Sequence, residues 1–65
     1  MINNDVMRRI RYIFDFNDKQ MLDVFAQAEY PATTAQLHSW LRKEEEPEFV
    51  RITDLQFALF LNGLI

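Results

Sequence analysis

Sixty-five residues, 49% hydrophobic and 26% charged, with one glycine and two prolines, describe a small globular chain and exclude a disordered one. With no cysteine there are no disulfides or thiolate metal sites, and a single histidine cannot build a zinc site unaided. The net charge of −3 gives no global attraction to nucleic acid or to anionic membranes.

The opening residues, Met1-Ile2-Asn3-Asn4-Asp5, contain neither a basic segment nor an apolar run, so no signal peptide is expected and the cytoplasm is the default compartment. Scarce glycine favours helices, because hairpins and tight turns would need more of it. The first helix is expected from about Asn4 to Phe14. Val6, Met7, Ile10, Ile13 and Phe14 recur at helical spacing and form its apolar face, with Arg8, Arg11 and Tyr12 opposite.

The second helix is expected from Asn17 to about Ala28, with Met21, Leu22, Val24, Phe25 and Ala28 inward. Glu29-Tyr30-Pro31-Ala32 breaks it, since the residue before a proline is pushed out of helical geometry. The third helix begins at Thr33 or Thr34 and runs to about Glu45, with a narrow stripe of Leu37, Trp40 and Leu41. After Pro47 the extended segment Glu48–Ile52 should plug the core with Phe49 and Ile52.

The last helix, from Thr53 to the final residue, is apolar on nearly every side. Asn17-x-x-Gln20, Thr33-x-x-Gln36 and Thr53-x-x-Gln56 all fit the capping-box template, so this segment is a capped helix like those before it. At about a dozen residues it falls short of the ~20 needed to span a membrane. Phe57, Phe60, Leu61 and Leu64 make one face, and Leu55, Ala58, Leu59 and Ile65 carry apolarity around the wheel. Only a strip near Gln56 and Gly63 is polar. Such a helix is either enclosed by the other three or partly exposed and buried between chains. Three helices with narrow stripes cannot readily enclose a fourth, which favours the second alternative. The expected architecture is all-α, a compact orthogonal array of four short helices forming one domain over residues 1–65.

Catalytic chemistry finds little support. His38 and Ser39 are helix neighbours whose side chains diverge, and His38 is expected on the solvated surface. Glu44, Glu45, Glu46 and Glu48 point different ways and do not converge on an ion. No cofactor is implied. A nucleic-acid reading takes the second and third helices as a helix-turn-helix, with Gln36, Ser39, Arg42 and Lys43 outward and Arg8, Arg9 and Arg11 on phosphates. The acidic total and the glutamate run weigh against it.

Three stretches carry a family resemblance. They are Asn4-Asp5-Val6-Met7-Arg8-Arg9-Ile10-Arg11-Tyr12, then Leu37-His38-Ser39-Trp40-Leu41-Arg42-Lys43-Glu44-Glu45-Glu46 with Phe49, and Asp54-x-x-Phe57-x-x-Phe60-Leu61-Asn62-Gly63-Leu64-Ile65. On these the chain resembles the YehS-like family of bacterial proteins. The resemblance implies no activity, substrate or catalytic residue. It does imply tandem copies of this helical unit, the first closed by the Phe-Leu-Asn-Gly-Leu segment, where this chain shows one copy ending at Ile65. The expectation is therefore a non-enzymatic interaction domain that forms a homodimer, or meets another protein, through Leu55, Ala58, Leu59 and Ile65. Arg8, Arg11 and Tyr12 offer a further contact face for an acidic partner.

Overall fold

All three capping boxes form. The Gln20 N–H donates to Asn17 Oδ1 at 2.8 Å and the Asn17 N–H returns to Gln20 Oε1 at 2.9 Å. Thr33 with Gln36 and Thr53 with Gln56 repeat the exchange at 3.0–3.1 Å. In this computed structural model, which describes Met1–Ile65, the boxes open α2 (Asp18–Gln27), α3 (Thr34–Leu41) and α4 (Asp54–Leu64). The preceding helix, α1 (Asn3–Phe14), starts differently. There the Asp5 carboxylate accepts the Ile2 N–H at 2.8 Å, and Ile2 itself has no cap oxygen to offer.

The helices pack into a compact all-α fold. Its core is Met7, Met21, Val24, Phe25, Leu37, Trp40, Ile52 and Phe60. Phe25 of α2 is the centre, with ring centroids 5.2 Å from Phe60, 5.3 Å from Trp40 and 5.8 Å from Tyr30. The inward set expected for α2 is correct. Met21, Val24 and Phe25 are buried, and Leu22 and Ala28 are partly so. Both α1 and α2 end on a non-glycine residue in the left-handed region, Asp15 at φ 55° and Glu29 at φ 60°. Each lets the next N–H return to a carbonyl five residues back, Phe16 to Arg11 and Tyr30 to Phe25, both at 3.0 Å.

Three expectations need correction. The first concerns α3, which stops at Leu41, four residues short of the expected Glu45. Its last carbonyls are taken by tertiary donors before the helix can continue. Val50 N–H reaches Ser39 O at 3.1 Å, Asn4 Nδ2 reaches Trp40 O at 2.9 Å and Arg8 Nη1 reaches Arg42 O at 3.2 Å. Lys43 and Glu46 then form a turn of their own, with Lys43 N–H on Glu46 Oε1 at 3.1 Å and Glu46 N–H on Lys43 O at 3.0 Å.

The second correction concerns α1. Met7 is buried, but Ile13 and Phe14, assigned to the apolar face, are exposed. The buried face is turned toward Asn4, by roughly a quarter turn at 100° per residue. Asn4 is fully buried and satisfies three backbone groups: Trp40 O, Val50 O at 3.0 Å, and the Ile52 N–H at 3.1 Å. An unpaired amide in that position would cost about 1–3 kcal/mol, so these bonds fix the helix's rotation as firmly as apolar packing does. The bonds also hold segment 50–52 in place, which delivers Ile52 to the core. Phe49 is only partly buried and lies outside it.

The third correction concerns the polar strip of α4. A Cβ on Gly63 would lie 1.8 Å from Val24 O, so Gly63 faces α2 and lets the two backbones touch. Gln56 is also on the packed side, its Nε2 donating to the Tyr30 hydroxyl at 3.0 Å. The inward face of α4 is thus Gln56, Phe57, Phe60, Gly63 and Leu64, and Leu61 moves outward.

Candidate functional site

With that side of α4 committed to α2, the opposite side is set by the 100° step per residue. Leu55 is 71% exposed, Ile65 fully exposed, Ala58 exposed and Leu61 38% exposed, while Leu59 at the margin is partly covered. The only charge on the helix is Asp54, whose Oδ1 accepts a 2.7 Å bond from Asn3 Nδ2 at the start of α1. The result is a strip about 16 Å long, by the 1.5 Å rise per residue, aliphatic except for exposed Asn62 and with no basic group. Exposed leucines and isoleucines are ordinary when scattered, and informative when they share one face.

Of the trio Arg8, Arg11 and Tyr12, Arg8 and Tyr12 line one groove on α1 and Arg11 does not. Arg8 Nη2 pairs with Asp5 Oδ1, and its Nη1 meets Arg42 O, tying α1 to the end of α3. Arg11 turns away toward Asp18, 3.8 Å off at the start of α2, with its Nε buried and unpartnered. Tyr12 is 86% exposed on the outward side of α1. His38 is half-exposed but not free, since its Nε2 lies 2.8 Å from Asp18 Oδ2 and links α3 to α2. Nothing in the local sequence signals that pair, because its partners are twenty positions apart.

Of the four side chains assigned to a base-reading face, Gln36 and Ser39 stay side by side on α3, while Arg42 and Lys43 fall beyond its end. Gln36 is engaged in its capping box, and the Ser39 hydroxyl donates to Ala35 O at 3.0 Å. Arg42 lies past the end of α3 and pairs with Glu46 at 3.1 Å; Lys43 follows it outside the helix. Six residues, 28–33, separate α2 from α3, more than the three or four of a helix-turn-helix turn.

Two carboxyls are held below their ordinary range. For Asp5 the main cause is the Ile2 N–H, followed by Arg8; for Glu46 it is the Lys43 N–H, followed by Arg42. In both cases the charged form is used to close a turn. No group of three or more His, Asp or Glu side chains is gathered as a metal would require. No helix is long and apolar enough to cross a membrane.

Comparison with known proteins places this geometry in a family. Over all 65 residues the chain is 42% identical to the "Uncharacterized protein YehS" of Escherichia coli strain K12, and it spans 42% of that relative's length. No solved structure matches. The family described as "Protein of unknown function (DUF1456)" matches residues 3–65, and the chain belongs to it.

Proposed function

We propose that residues 1–65 form one non-enzymatic helical interaction unit, which pairs with a second copy of itself through the outward side of α4. The observation that carries the reading is the exposure of Leu55, Ala58, Leu61 and Ile65 along one helix whose opposite side is already packed. Burying such a strip desolvates no charged side chain beyond Asp54, and a two-fold arrangement lets one patch serve both copies. The relative's length supports the pairing, since a chain more than twice as long has room for a second unit of this size.

The strip is one helix wide, less than the ~800 Å² per partner of a standard interface, so the pairing is of the weak, micromolar kind. A non-enzymatic role is supported by the engagements of the only histidine and the only serine. The first is on Asp18, and the second is on its own helix backbone.

Sedimentation equilibrium on the wild type and Leu55→Glu tests this reading. The wild type should associate reversibly, and the variant should remain monomeric with unchanged far-ultraviolet circular dichroism. Undiminished association of the variant would refute the assignment to α4.

A further inference from the structure

The outward side of α1 gathers a second set of exposed apolar groups, here around a cation. Met1, Tyr12 and Ile13 are each more than 70% exposed, and they line one groove with Asp5, Arg8 and Arg9. Asp5, Arg8, Arg9, Tyr12 and Ile13 recur a turn apart, so the groove follows α1 for about 12 Å, or two turns, and Met1 extends it ahead of the helix.

Its charges are not equivalent. The Asp5 carboxylate is occupied by the Ile2 N–H and Arg8, and Arg8 is further engaged by Arg42 O. Of the seven lysines and arginines, Arg8, Arg11, Lys19 and Arg42 lie within 4 Å of a carboxylate. Arg9 does not, and it is the basic side chain in this groove left open to an incoming anion.

We propose that this face of α1 docks an acidic amphipathic helix from another protein. Its apolar residues would pack on Met1, Tyr12 and Ile13, and a carboxylate would pair with Arg9. The recurrence of anchors at helical spacing is what a helix-in-groove partner reads. The planar guanidinium matches a carboxylate bidentately, and Tyr12 supplies a large contact area with few rotatable bonds. A second copy of this chain is a poorer occupant, because the one charge on its exposed α4 strip, Asp54, is already bonded to Asn3. Nucleic acid is poorer too. Glu44, Glu45 and Glu48 have no basic partner, and the net charge is −3, whereas phosphate binding needs clustered cations.

Panning a random peptide library, with inserts of about 16 residues to span the groove with a turn to spare at each end, against the full chain tests the proposal. Enriched sequences should be amphipathic and acidic. Fluorescence anisotropy should show Arg9→Glu and Ile13→Asp each weakening them about tenfold or more, with Leu55→Glu without effect. Lysine-for-glutamate versions of the same peptides should lose the wild type and recover on Arg9→Glu. Both α1 positions are at the surface, and circular dichroism checks that the variants fold. The proposal is overturned if no peptide or only basic peptides are enriched, or if binding ignores Arg9→Glu. It is equally overturned if a single-stranded oligonucleotide binds the groove more tightly, or if Arg9→Glu abolishes self-association.

Discussion

α2 and α4 open with nearly the same sequence, Asn17-Asp18-Lys19-Gln20 and Thr53-Asp54-Leu55-Gln56, and pack on each other, yet they meet solvent in opposite ways. On α2 the side away from the core carries Lys19, Gln20, Asp23 and Gln27, with Lys19 paired to Asp23 at 3.2 Å. On α4 the corresponding side carries Leu55, Ala58, Leu61 and Ile65, with Asn62 as its one polar uncharged group. A chain this small gains a few kcal/mol from its core and loses solubility with every exposed aliphatic group. α2 shows solvent a polar side, whereas α4 shows it a largely aliphatic one. Equal caps and similar lengths therefore do not make equal helices: the cap fixes where a helix starts, and the outward side chains decide what it meets.

The substitution with the largest expected effect removes the amide that joins α1 to the end of α3 and to segment 50–52. Asn4→Leu leaves Trp40 O, Val50 O and the Ile52 N–H without partners, and should cost about 3 kcal/mol or more at roughly 1–3 per unsatisfied group. Against a core worth roughly 3–5 kcal/mol, urea melts should find this variant largely unfolded at room temperature. A variant as stable as the wild type would mean that these three bonds do not hold α1 against segment 50–52.

Gly63→Ala breaks the seam itself. Its methyl group would overlap Val24 O, and prising the two backbones apart should cost about 2–3 kcal/mol despite alanine's higher helix propensity. A lowered thermal midpoint measures it, and a stabilised variant would mean that α2 and α4 do not touch there. The smallest effect sharpens the α2 side. Glu29→Gly relieves a left-handed residue after α2 and should stabilise by about 0.5–1 kcal/mol, with no effect on association.

Much of the α2 half of this comparison is legible in the sequence, where hydropathy and burial coincide. The capping boxes were legible for the same reason, because both partners of each lie within four residues. On α1 and α4 hydropathy finds Met7, Phe57, Phe60 and Leu64, but it misplaces Ile13, Phe14 and Leu61 and passes over the inward Asn4, Gln56 and Gly63. Asn4 faces inward because three backbone groups more than thirty positions away need its amide. Gly63 does so because contact with Val24 leaves no room for a side chain. The early end of α3 is hidden likewise, because its last carbonyls are claimed by α1 and by Val50. Among the candidate contact residues, Leu55, Ala58 and Ile65 lie on one exposed strip, while Arg11 is drawn off by Asp18, a partner visible only in three dimensions.

The claim that α4 is completed by a second copy is tested most directly by light scattering on the 65-residue chain across a concentration series. The mass should rise from the monomer's 7.8 kDa toward twice that value as concentration increases. A mass of 7.8 kDa at every concentration at which the chain stays dissolved would contradict it.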